Sequence, residues 1–165
     1  MTIRPPLRLG LGIAALVLVL DQISKWLIIE LVMNPPRLLP IGPFLDIVMA
    51  WNKGVSFGML NQESPWNAPL LSALALVISG FLVNWLRKSE GWWIPSSLGL
   101  IIGGAIGNVI DRIRFGAVAD FLYFHLGEFY WPAFNLADSG ISIGAVMLIW
   151  DALFRGKESP KTGGP

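Results

Sequence analysis

The chain contains no cysteine, a single histidine and only 14% charged residues across 165 positions. Each scarcity removes a class of chemistry. Without cysteine there are no disulfides, thiolate metal sites or cysteine nucleophiles. With His125 as the sole imidazole, no centre can be built from two histidines, and no metal site or cofactor is expected. The formal net charge of +1 and the lack of a clustered basic face give no reason to expect a nucleic-acid partner. Charge is scarce because apolar residues dominate: 54% of the chain is hydrophobic and the mean hydropathy is +0.61. That balance is too apolar for an ordinary soluble domain and reads as an integral membrane protein.

Four apolar runs approach the length that a hydrocarbon core of about 30 Å demands. They cover roughly residues 10–33, 67–86, 95–110 and 136–154. The first follows Arg4 and Arg8 like a secretory leader, but Asp21, Gln22 and Lys25 occupy the place of a small-residue cleavage site, so a retained span is expected. Basic residues set the orientation. With both termini cytoplasmic, the inner segments carry Arg4, Arg8, Arg87, Lys88, Arg155, Lys157 and Lys161, against Arg37, Lys53, Arg112 and Arg114 outside. The expected fold is an all-α membrane protein of one domain over residues 1–165, with four transmembrane helices. It carries a small extracytoplasmic β-rich segment (about 34–66), an outer aromatic loop or helix (about 112–135) and a disordered tail (about 156–165).

Ionisable groups inside such runs cost several kcal/mol unless paired, so they mark function by default. Asp21, Lys25, Asp111, Arg112 and Asp138 are in or at the edges of the runs. Counted from the inner edge, Asp21 falls about 18 Å deep and Asp111 about 24 Å deep, while Asp138 opens the fourth run from the outer side. Polar groups from three spans therefore converge at one depth near the extracytoplasmic face. In the outer segments, PFLDIVMAWN is strand-like and NKGVSFG turn-like, suiting a small sheet on the membrane surface. The aromatics from Phe121 to Phe134 suit the headgroup level.

Ordered along the chain are D-Q-I-S-K (Asp21, Gln22, Lys25), W-N-K-G-V-S-F (Asn52, Gly54, Phe57) and G-G-A-I-G-N-V-I-D-R (Gly103 to Arg112). G-A-V-A-D-F (Asp120, Phe121) and W-P-A-F-N-L-A-D-S (Asn135, Ala137, Asp138) follow. The series resembles the lipoprotein signal peptidase family, also called signal peptidase II, over about residues 21–139. The resemblance implies an aspartyl protease of the bacterial inner membrane, with its site towards the extracytoplasmic face. It would cut prolipoproteins just before a cysteine that bears a diacylglyceryl group. It implies Asp120 and Asp138 as catalytic residues. It also implies substrate-binding or supporting roles for Asp21, Lys25, Asn52, Gly54, Asn108, Asp111, Arg112 and Asn135. The expected partners are the prolipoprotein substrates and membrane lipid, and a monomer is expected.

If the reaction is peptide hydrolysis, the composition leaves few means. A serine triad would need His125, and no GxSxG elbow exists. A carboxylate pair sharing a proton remains, one acid activating water and the other donating to the carbonyl. Such a pair titrates as a unit, and the sequence leaves open which member is ionised.

Structural readings stand beside the functional ones. Asp21 and Lys25, four apart on one helical face, can neutralise each other in lipid. Gly103, Gly104 and Gly107 read as close-packing residues. Asn108, Asp111 and Arg112 share a face and suit a hydrogen-bond network, while the donors of Asn52, Asn108, Arg112 and Asn135 also suit the carbonyls of an extended peptide. His125 reads as an interfacial side chain. Asp46, Glu63 and Glu128 read as solvated, and Trp66, Trp92 and Trp93 as interface anchors. A small proton- or ion-coupled transporter or channel component is the rival reading, with a purely structural subunit behind it. The nearly wholly apolar inner halves of the spans weigh against both. A cleft open to lipid is expected between the helices bearing Asp21, Asp111 and Asp138, because a lipid anchor leaving the bilayer would lose about 0.8 kcal/mol per methylene.

Overall fold

The computed structural model describes residues 4–54 and 64–155; Phe57, Glu63 and the polar tail expected at 156–165 lie outside them. Four helices among these residues are long and apolar enough to cross a membrane. Helix α1 (Pro5–Leu27) begins with prolines in its first turn, where a missing N–H costs nothing, and ends in a wider π-type turn, Ile28–Val32. Helix α2 (Asn67–Lys88) closes on Arg87 and Lys88, which complement the negative end of its dipole. Helix α3 (Trp93–Phe115) stops at Gly116, whose φ of 71° reverses the chain in a left-handed turn. It runs past Ile110, where the apolar run ends, because Asp111 finds a cation within the bundle. Helix α4 (Leu136–Trp150) is capped by Asn135 and continues in a second wide turn, Asp151–Arg155.

Helix α3 is the hub and packs against the other three. Along α1 the buried residues Gly10, Ala14, Val17, Asp21 and Lys25 form one stripe at helical spacing, so the two charged residues continue the packing face. That stripe meets glycines of α3. A Cβ on Gly103 would run into the Ala14 carbonyl of α1, and one on Gly104, on the neighbouring face, into the Ala137 carbonyl of α4. Ala14, Leu86, Leu98 and Ile102 form the apolar core between α1, α2 and α3. Large apolar side chains such as Leu16, Leu70, Phe81 and Val146 point outward, as lipid-facing surfaces require.

A small antiparallel sheet caps one end of the bundle in the order β1-β2-β3-β4. Its strands are β1 (Leu39–Pro40), β2 (Leu45–Asn52), β3 (Val118–Leu126) and β4 (Phe129–Tyr130). The second outer segment is thus strand where an aromatic loop or helix was expected. Alternating Phe121, Tyr123 and His125 against Leu122, Phe124 and Leu126 suits a pleat, and β2 supplies the ladder. The pairing sets Asp120 opposite Ala50 and Asn52 opposite Val118, with an irregularity between Ile47 and Ala50. Met33, Ile47 and Phe121 form a second core beneath the sheet. Two further expectations change. Asp46 is buried, because His125 Nε2 approaches it at 3.4 Å across the strand pair. Trp93 is a strut between helices, its indole N–H donating to the Met147 carbonyl at 2.9 Å.

Candidate active site

Asp120 enters from β3 and is 2% exposed; Asp138 enters from the first turn of α4 and is half-buried. Asn135 holds both. Its side-chain amide donates to Asp120 Oδ1 at 2.7 Å, while its backbone N–H donates to Asp138 Oδ2 at 3.3 Å. In return Asn135 Oδ1 accepts the Asp138 backbone N–H at 2.9 Å, so N-L-A-D is a capping box that starts α4.

Neutral amides complete the surroundings. Asn52 Nδ2 donates to Asp120 Oδ2 at 3.0 Å, and Asn108 Nδ2 to Asp138 Oδ1 at 2.8 Å. Burial, and then the neighbouring Asp138 charge, push the Asp120 carboxyl up to about 7, against the opposing hydrogen bonds from Asn52 and Asn135. Arg112 is close enough to feel both acids. Its guanidinium donates to the carbonyls of Gly54 (3.3 Å) and Asn108 (3.4 Å), and its buried Nε–H has no partner among the described residues. Gly54 N–H in turn donates to Asn52 Oδ1 at 3.1 Å.

A deeper layer lies on α1 and α3. Lys25 Nζ sits 2.9 Å from Asp21 Oδ2 and 2.8 Å from Asp111 Oδ2, all three side chains being almost fully buried. The i, i+4 neutralisation of Asp21 by Lys25 is therefore present, but it reaches across to a second helix. Gln22 was given no separate role by its sequence position. Its Nε2 donates to Asp111 Oδ1 (3.0 Å), Asp21 Oδ2 (3.2 Å) and the Gly107 carbonyl (3.3 Å). The one available signal was a further polar residue beside Asp21 in an otherwise apolar run.

Over residues 13–154 the chain matches the family model described as signal peptidase (SPase) II. The chain belongs to the signal peptidase II family. The lipoprotein signal peptidase of Azoarcus sp. (strain BH72) is 43% identical over 154 residues, covering 93% of this chain and 87% of that one. The lipoprotein signal peptidase of Methylocella silvestris is 42% identical over 160 residues, covering 96% and 93%. A bacterial membrane enzyme solved by the in meso method at 2.3 Å resolution superposes with a TM-score of 0.79 at 28% identity, covering 94% of this chain and 93% of that one. Membership makes the protein a multi-pass bacterial membrane peptidase.

In this signal peptidase II chain a cavity of about 510 Å³ opens beside α4. Asp138, Ser139 and Ser142 line its polar end, and Trp131, Phe134, Ile141 and Ile143 give apolar walls. Of the three helices between which a cleft was expected, the one bearing Asp138 borders it, while Asp21 and Asp111 do not line it. The glycine contacts between α1 and α3, with Lys25 bridging the two acids, close that side.

Proposed function

We propose that this signal peptidase removes signal peptides from prolipoproteins, cutting just before a cysteine that carries a diacylglyceryl group, and that Asp120 and Asp138 perform the hydrolysis. One observation carries the reading: a single residue, Asn135, hydrogen-bonds both carboxylates, so the acids of two separate sequence blocks belong to one hydrogen-bond network. Asp138, with the helix N-terminus, the Asn108 amide and the Arg112 charge around it, takes a proton from the attacking water. Asp120 holds the shared proton, since burial and its neighbour's charge raise its affinity for it, and donates to the scissile carbonyl as that oxygen becomes tetrahedral. When the tetrahedral species collapses, Asp138 passes its proton to the departing amine nitrogen and the former carbonyl oxygen returns its proton to Asp120, so the pair again holds one.

Substrate contacts follow from the donors around the two acids. Arg112, whose Nε–H has no partner among the described residues, and the Asn52 amide beside Asp120 suit backbone carbonyls of an extended peptide. The cavity beside α4 combines a polar end with apolar walls, which fits a peptide tethered to acyl chains. The protein works as a monomer in the bacterial inner membrane, with both termini cytoplasmic and the site towards the extracytoplasmic face. Arg4 and the Arg87–Lys88 pair support that orientation, since they gather at the end of the bundle opposite the site.

The test is a gel assay of purified protein in detergent with a lipid-modified prolipoprotein. Asp120→Asn and Asp138→Asn should each lower turnover by about 10²–10⁴-fold while eluting like the parent protein and unfolding in a single cooperative transition. The same prolipoprotein without its diacylglyceryl group should be a poor substrate. Retained cleavage by either folded variant rules out the carboxylate pair.

A further inference from the structure

The two residues that immediately precede the proposed acids are held in the same way. Ala119 N–H, next to Asp120, donates to Asp111 Oδ2 at 3.2 Å. Ala137 N–H, next to Asp138, donates to Asp21 Oδ1 at 3.0 Å. The receiving carboxylates belong to different helices, α3 and α1, and one ammonium joins them: Lys25 Nζ, at 2.8 and 2.9 Å. A third connection leaves the same nitrogen. Lys25 donates to Asn108 Oδ1 at 3.1 Å, which turns the other end of that amide, Nδ2, onto Asp138 Oδ1.

We propose that Lys25 is a positioning residue that sets the separation of Asp120 and Asp138, by fastening together the two carboxylates that hold the backbone just before each of them. The inference rests on the aspartyl reading above and assigns the Asp21–Lys25–Asp111 triad a role that touches no substrate. A lysine present only to neutralise Asp21 would need its i, i+4 partner and nothing more. Here the ammonium also contacts Asp111 and orients Asn108, so every bond it makes leads within one or two further bonds to one of the acids. Charged hydrogen bonds in a dry interior are stiff, and sub-ångström placement is what carboxylate catalysis needs.

Two variants separate positioning from neutralisation. Lys25→Met removes the tie and leaves two buried carboxylates. The triple variant Asp21→Asn, Lys25→Met, Asp111→Asn keeps a carbonyl acceptor for each alanine N–H but has no buried charge to balance. Both are measured as purified full-length protein in detergent on the lipid-modified prolipoprotein, with an unfolding transition recorded for each. Positioning predicts a fall in kcat of about 100-fold with KM within threefold of the parent, in both variants. If Lys25→Met does not fold, the neutral triple decides. A folded variant whose kcat falls less than tenfold, or whose loss lies in KM alone, overturns the proposal. Asp120→Asn and Asp138→Asn are run alongside. Cleavage by either of those removes the aspartyl reading itself, whereas two inert aspartate variants beside active Lys25 variants remove only the role of Lys25.

Discussion

In the proposed reaction, Asp120 is the residue at which stability and reactivity oppose each other. Its acid is buried beside a second carboxylate, and it binds its proton up to about pH 7 where an unfolded chain would release it near pH 4. The folded state therefore holds more protons than the unfolded one across that interval. Stability from this group is complete below about pH 4 and is lost as pH rises through about 7. Asp120→Asn carries no titrating proton, so its melting temperature in detergent should fall less than that of the parent between pH 5 and pH 8. The difference in slope should amount to roughly 2–3 kcal/mol of stability over that range. Parallel melting curves across the range would show that the acid titrates normally in the fold. At this scale the sequence offered the identities of the acids through the resemblance, but not their connection. The capping box between Asn135 and Asp138 is visible as spacing, yet the amide that reaches from Asn135 to Asp120 depends on how β3 returns to the start of α4. Gln22 was passed over for the same reason, since its three acceptors come from Asp21, Asp111 and the Gly107 backbone, on two helices.

Between elements, contacts too close for side chains decide where the acids stand. Helix α3 presents glycine on both sides, and a Cβ on Gly104 meets the Ala137 carbonyl and the Ile141 side chain, one residue from Asp138. Gly104→Ala should therefore push the start of α4 outward, costing about 1–3 kcal/mol of stability and at least tenfold in cleavage rate. Gly12→Ala is the control: a Cβ there meets nothing within 4 Å, so stability and rate should stay near the parent's. Equal effects from both substitutions, read by thermal unfolding and the gel assay, would mean that generic helix perturbation and not this contact is at work. The helices were legible because lipid imposes a length and an apolar composition that few other structures share. Strand β3 was not, because its buried start, Val118 to Phe121, runs without alternation and its aromatics equally suit a headgroup belt; only pairing with β2 distinguishes the two. The cleft was misplaced on the same account. Polar residues at one depth on α1, α3 and α4 suggested an opening among all three, whereas mutual neutralisation ties α1 to α3 and the cavity opens beside α4 alone, at Asp138.

For the molecule as a whole, the proposed chemistry requires that the capping sheet and the acids face away from the cytoplasm, where exported prolipoproteins present their cleavage sites. The bundle is polarised in a way that makes this testable. Glu90, with its side chain 84% exposed, lies between α2 and α3 at the end bearing Arg4, while the exposed Glu128 sits in the β3–β4 turn at the other end. The chain has no cysteine, so one introduced thiol reports without background. Glu90→Cys loses a surface ion pair with Arg4 at 3.8 Å, an interaction of little energetic weight, and Glu128→Cys changes a turn position open to solvent. In intact spheroplasts a membrane-impermeant maleimide should label Glu128→Cys and spare Glu90→Cys, and lysis should make both reactive. Labelling of Glu90→Cys before lysis, with Glu128→Cys protected, would invert the bundle and set the acids on the side where lipoprotein precursors have not yet crossed, which the proposed reaction cannot accommodate.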